Sequence, residues 1–117
     1  MRVYISCPMT GNVHYKRMME ICADMISSQG NSFINPAKLD DVMPGASYEE
    51  YMNMDIEMLD KCDAIYLIGK WQQSLGCQRE YGYALGRDIM VIDGNDYIEE
   101  YCQRVGKLRL WKSYTEE

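Results

Sequence analysis

Residues 63–68, DAIYLI, are a nearly continuous apolar run with no polar alternation. A run this short and this apolar suits a strand buried on both faces, the pattern of an inner strand in a parallel sheet. The loop GKWQQSLG (69–76) follows, and then a helix from about residue 76 to 85 with Gly86 as its stop. On that helix Cys77, Glu80, Tyr81, Ala84 and Leu85 share one face, which should be buried. IMVI (89–92) reads as another buried strand and DGND as a turn.

Upstream, Ser47 followed by Glu50 matches a capping box and opens a helix running to about residue 61. Near the start, RVYIS (2–6) alternates and is β-rich, and CPMTGN (7–12) carries Pro and Gly turn signals. Tyr15, Met18, Met19, Cys22, Met25 and Ile26 then form an apolar helical stripe that Gly30 and Asn31 bring to an end. SFIN (32–35) is a short strand ended by Pro36, and 36–47 is a polar loop. The tail reads as a helix over 97–105 and a short edge strand, KLRLW, at 107–111. Strands alternating with helices imply a single α/β domain over 1–117, with a parallel sheet, right-handed crossovers and helices on both faces. Ligands of such sheets bind at the carboxyl ends of the strands, here the loops 7–13, 35–47 and 69–76.

With 117 residues and 47% hydrophobic content, the chain can bury one core. It has no apolar run near the roughly 20 residues needed to span a bilayer and no signal-peptide pattern, so a cytoplasmic protein with no membrane partner is expected. A net charge of −6 argues against a nucleic-acid polymer as partner, because such binding relies on a basic surface. A small anion held by backbone N–H groups stays compatible. Five cysteines without C-x-x-C spacing, beside the single His14, read as reduced core fillers; neither a metal nor a cofactor is expected.

The residues that could carry chemistry are two acids on apolar stripes. Tyr48, Tyr51, Met52, Asp55, Met58, Leu59 and Cys62 align on one helix with Asp55 in the middle, and Glu80 occupies the same situation on the next helix. Flanking the same strand, the two carboxylates can converge at its carboxyl end. If Glu80 lies near the first turn of its helix, the macrodipole lowers its pKa and keeps it ionised, while an apolar setting raises that of Asp55. A nucleophilic carboxylate beside a proton donor is the arrangement of retaining glycoside cleavage. Two buried acids also occur as structural pairs. Ser74 and Gly76 read as an N-cap and a turn, or as an anion site suited to phosphate, with Thr10 and the backbone of Gly11 and Asn12 as a second set. Tyr4, Tyr66, Trp71 and Tyr81 are candidates for a base-binding cleft or for packing.

YISCPMTG (4–11), DIEMLDKCDAIYLI (55–68) and WQQSLGCQREYGYA (71–84) together resemble the nucleoside 2-deoxyribosyltransferase-like superfamily, in particular a small and largely uncharacterised bacterial and phage branch. The resemblance implies a flavodoxin-like or Rossmann-like three-layer sandwich with about five parallel strands, commonly in a dimer or larger assembly. It implies that Glu80 is a nucleophile toward C1′ of deoxyribose and that Asp55 assists departure of the base. It places Tyr4 or Ser6 beside the nucleophile and makes Gly76 a tight turn before the catalytic helix. In the transferases of that superfamily an Asp six residues before the nucleophile contacts the sugar 5′-hydroxyl. Relatives that hydrolyse 2′-deoxynucleoside 5′-monophosphates have a Ser there, so Ser74 favours a nucleotide. The expected activity is therefore N-glycoside hydrolysis of such monophosphates; base exchange and a non-catalytic nucleotide-binding module are the alternatives. Cys7 stands where the branch generally has Gly, and Arg79 is either a phosphate ligand or a partner of Glu80.

Overall fold

A computed structural model describes residues 1–116. Four strands, β1 (Arg2–Ser6), β2 (Ser32–Ile34), β3 (Ala64–Leu67) and β4 (Met90–Asp93), form one parallel sheet in the order β2-β1-β3-β4. Around it lie six helices: α1 (Tyr15–Ser28), α2 (Leu39–Val42), α3 (Tyr48–Leu59), α4 (Leu75–Gly86), α5 (Asn95–Val105) and α6 (Leu108–Thr115). The result is a Rossmann-like three-layer α/β fold.

The pleat of β1 divides the core. Val3, Ile5 and Cys7 face a cluster built from α1, α5 and α6, with Met19, Ile26, Ile98 and Trp111 buried in it. Tyr4 faces the opposite way, into a cluster with Leu59 of α3 and Cys77 and Ala84 of α4. In register, Tyr4 is opposite Ile34 of β2 and Ile65 of β3. The chain leaves β1 toward β2 on one side and comes back to β3 on the other. A crevice therefore opens at the carboxyl ends of these strands, where the crossovers diverge.

DAIYLI behaves as its composition demands: Ala64 through Ile68 are all buried. The Ser47 and Glu50 capping box is formed in both directions, with Oγ of Ser47 accepting from the Glu50 amide at 3.1 Å and Glu50 Oε1 accepting from the Ser47 amide at 2.9 Å.

Three expectations are corrected. The sheet has four strands, not five, because 107–111 is helical. Read with period two, L-R-L-W suggests a strand; Leu108, Trp111 and Tyr114 recur instead at helical spacing and all pack on the α1 cluster, leaving Leu110 exposed. Gly106, at φ 77°, supplies the left-handed turn that lets α6 fold back after α5. Second, β4 is an edge strand with Met90 53% exposed, since no fifth strand covers it. Third, Leu85 lies outside the buried face of α4, which is the narrower stripe of Cys77, Glu80 and Ala84. Among the described residues no helix is long and apolar enough to cross a membrane.

Candidate active site

Glu80 reaches the sheet from the second turn of α4, which Ser74 caps through a bond from the Cys77 amide to its Oγ at 3.2 Å. The residue is only 6% exposed. Tyr4 donates its hydroxyl to Oε2, and Ser6 donates to Oε1 at 2.7 Å. Tyr4 and Ser6 are two residues apart on β1, so the pleat presents both hydroxyls on the α4 side, and together they fix both carboxylate oxygens.

Burial raises the Glu80 carboxyl to about 7, against the lowering effect of these two bonds. This overturns the expected depression by the helix dipole. With Leu75 as the first residue of the helix, Glu80 lies beyond the first turn, where the dipole has faded and desolvation dominates. Burial and then the nearby Glu80 charge hold the Tyr4 phenol well above its usual value, so it stays a donor.

Asp55 sits on the buried face of α3 at 7% exposure, and its Oδ1 has no hydrogen-bond partner. Burial first, then the charges of Glu80 and Asp40, raise it to about 7. The two acids are thus unequal in a specific way. Glu80 has two donors that stabilise its anion, and Asp55 lacks such a donor at Oδ1.

Both acids line one cavity of about 270 Å³ at the carboxyl end of β1. Its walls come from Ile5 and Cys7, from Tyr15 and Met19 of α1, from Asp40 of α2, from Tyr48, Tyr51 and Met52 of α3, and from Ser74, Gly76 and Cys77 at the start of α4. A second cleft of about 680 Å³ shares Thr10, Tyr48, Ser74 and Gly76 with the first and adds Gly11, Asn12 and Lys70. The amides of Leu75 and Gly76 open α4 there and have no acceptor within the helix.

The structure therefore gathers Glu80, Asp55, Thr10, Gly11, Asn12, Ser74 and Gly76 at two adjoining clefts. Other expectations change. Tyr4 and Ser6 line neither cleft; both are buried and bonded to the Glu80 carboxylate, which they position. Trp71 is elsewhere too, packed on Tyr81 with ring centroids 5.3 Å apart, beside the Tyr4 cluster. The 3-10 turn Trp71–Gln73 directs its ring under α4 rather than toward the clefts. Gly76 is an ordinary helical residue; in the loops that follow β1 and β3 the left-handed glycines are Gly11, at φ 73°, and Gly69, at φ 67°.

Gly69 ends β3, and its N–H and C=O are both bonded to the Asn95 side chain, at 2.8 and 3.0 Å, which anchors the loop carrying Lys70. Asn12 spends its side chain shaping the first loop, donating to the Pro8 carbonyl at 2.8 Å and accepting from the His14 amide at 3.0 Å. Arg79 pairs with Glu49 at 3.3 Å and lies over the Tyr48 ring, away from Glu80. His14 stacks on Tyr114.

Asp40, Tyr15 and Lys70 escaped the sequence reading. Asp40 and Tyr15 lie on different elements and meet only through the fold, while Lys70 carried one available signal, its place directly after the β3 stop. All five cysteines are buried and unpaired.

Chemically, the cavity offers an oriented carboxyl group, a second acid that burial also raises to about 7, and an adjoining cleft with free amides and a lysine. Comparison with the curated proteins and with the solved structures gives no match. The family model described as "Domain of unknown function (DUF4406)" matches residues 1–93, from β1 to the end of β4. The chain belongs to that family.

Proposed function

We propose that the protein hydrolyses the N-glycosidic bond of 2′-deoxynucleoside 5′-monophosphates. The observation that carries this reading is the buried Glu80 carboxylate, oriented by Tyr4 and Ser6 and sharing a cavity with the unpartnered acid Asp55. The resemblance of the three sequence segments to the deoxyribosyltransferase-like superfamily supports the choice of substrate.

In the first step a Glu80 oxygen forms a bond to C1′ as the C1′–N bond breaks. The bonding pair leaves with the base, and the proton of Asp55 goes to the base. Asp55, now a carboxylate, takes a proton from water as the water oxygen attacks C1′. Glu80 is released, Asp55 is protonated again, and the products are free base and deoxyribose 5-phosphate. Tyr4 and Ser6 hold the attacking carboxylate in one orientation throughout. The phosphate lies in the adjoining cleft on the Leu75 and Gly76 amides, with Ser74, Thr10 and Lys70 around it.

Incubating the protein with each deoxynucleotide and ribonucleotide and resolving the products by chromatography tests the reading. Free base together with deoxyribose 5-phosphate is the expected result. Exchange with an added free base faster than hydrolysis would identify a transferase instead, and binding without any product would identify a binding module.

Two further outcomes are expected. The rate should follow a bell-shaped pH profile whose two macroscopic pKa values straddle about 7. Its acid limb reports protonation of Glu80 and its alkaline limb loss of the proton of Asp55. A rate that climbs steadily to about pH 10 contradicts the acid role. Lys70→Ala should raise KM about tenfold for the monophosphate with kcat kept, because a charge-assisted contact is lost only from binding. The nucleoside lacking the phosphate should be indifferent to the substitution, a comparison that steady-state kinetics supplies directly.

A further inference from the structure

We propose that Asp40 reads the far edge of the base and makes the site selective for a base with two adjacent N–H donors, as guanine has. The inference rests on the glycosidase reading for the direction in which the nucleotide lies.

Three carboxylates line the cavity. Glu80 is tied to β1 through Tyr4 and Ser6, whereas Asp40, on α2, is tied to Tyr15 at the start of α1 and so belongs to a different wall. With C1′ at Glu80 and the glycosidic nitrogen at Asp55, the base extends toward Asp40. Asp40 is not a stray surface acid. Tyr15 donates its hydroxyl to Oδ2, which orients the carboxylate from α1, and Tyr15 itself lines the cavity. The neighbouring Tyr51 hydroxyl donates to the Met43 carbonyl at 2.7 Å and also lies against Asp40. Among the described residues no cation pairs with Asp40. The unpartnered Oδ1 of Asp55, a residue only 7% exposed, marks the same cavity as one that a polar ligand completes.

A carboxylate with open lone pairs only accepts hydrogen bonds. Guanine presents its ring N1–H and an amino N–H side by side, the fork that a carboxylate accepts in pairs. Adenine and cytosine set an amino group beside an acceptor nitrogen, which Asp40 repels. Thymine has one N–H between two carbonyls. Hypoxanthine keeps the ring N–H and lacks only the amino group, so it isolates the second bond.

The test measures binding and turnover separately. Equilibrium binding of dGMP, dIMP, dAMP, dCMP and dTMP is measured on the non-hydrolysing Glu80→Gln protein, alone and combined with Asp40→Asn or Asp40→Ala; thermal melts establish that each variant is folded. dGMP is expected to bind roughly 10- to 100-fold more tightly than dIMP, and both Asp40 substitutions should erase that preference. Equal affinity for dGMP and dIMP, or a preference that survives loss of Asp40, overturns the role of Asp40. If that happens while the wild-type protein still releases base, the glycosidase reading stands without it. An Asp40-dependent preference for dGMP in a wild-type protein that releases no base sustains the recognition and overturns the chemistry.

Discussion

Glu80→Gln is expected to lower base release by on the order of 10⁴-fold or more, and to make the protein more stable at about pH 8. The kinetic loss follows from the amide being isosteric with the carboxylate but unable to form the bond to C1′. The gain in stability follows from burial. In the folded protein the Glu80 carboxyl titrates at about 7, against an ordinary value of 4.5. Below 4.5 both folded and unfolded chains hold the proton. Between the two values the folded chain holds more of it, so stability falls as pH rises, and above about 7 the whole difference is lost. That difference is about 3 kcal/mol.

The amide of the Glu80→Gln variant carries no such penalty and can still accept the Tyr4 bond. The melting temperatures should be close near pH 4.5 and diverge up to about pH 7. Above that Glu80→Gln should melt higher by about 5 °C or more. Calorimetry across that pH range, with the chromatographic assay on the same protein, checks both halves. Full activity in the variant would remove Glu80 from the chemistry, and an unchanged melting curve at the alkaline end would remove the strain.

The second large effect concerns Asp55. Asp55→Asn should lower kcat on ordinary deoxynucleotides by roughly 10²- to 10⁴-fold, the usual contribution of a positioned acid. The leaving base then departs as an anion. A nucleotide of 7-methylguanine needs no such help, because its base already carries a positive charge and leaves neutral. On that substrate glycosidic cleavage by Asp55→Asn should approach the wild-type rate in the first turnover. Later turnovers should be slow, since Asp55 also takes the proton of the attacking water. A burst of base followed by a slow phase is the expected trace, with deoxyribose 5-phosphate attached to Glu80 visible by mass spectrometry. Equal losses on both substrates, with no burst, would reduce Asp55 to a structural acid.

These two acids also show how sequence and fold divide the information. DAIYLI is apolar on both faces, and that alone places β3 inside a parallel sheet. Glu80 and Asp55 stand out in the sequence because a charge on an apolar helical stripe has few inexpensive explanations. The N-cap of Ser74 and the capping box of α3 are equally legible, since each depends on residues three positions apart. Wherever spacing along the chain determines the contact, reading along the chain succeeds.

What the tertiary structure decided is what long-range contact determines. The 107–111 segment has the composition for an edge strand, and only the hydrophobic cluster under Trp111 selects the helix. The aromatic Trp71 was a reasonable cleft residue until the turn after β3 sent it under α4. Burial reversed the sign of the pKa shift on Glu80, because desolvation depends on everything packed around the carboxylate and the helix dipole only on its own helix. Asp40 and Tyr15, 25 residues apart, meet only when α1 and α2 close over one cavity. The sequence by itself thus determined the parallel α/β architecture and the two acids. The folded chain decided which hydroxyls hold Glu80 and that both acids titrate well above the ordinary carboxylate range, because both depend on side chains brought together from distant elements into a low-dielectric interior.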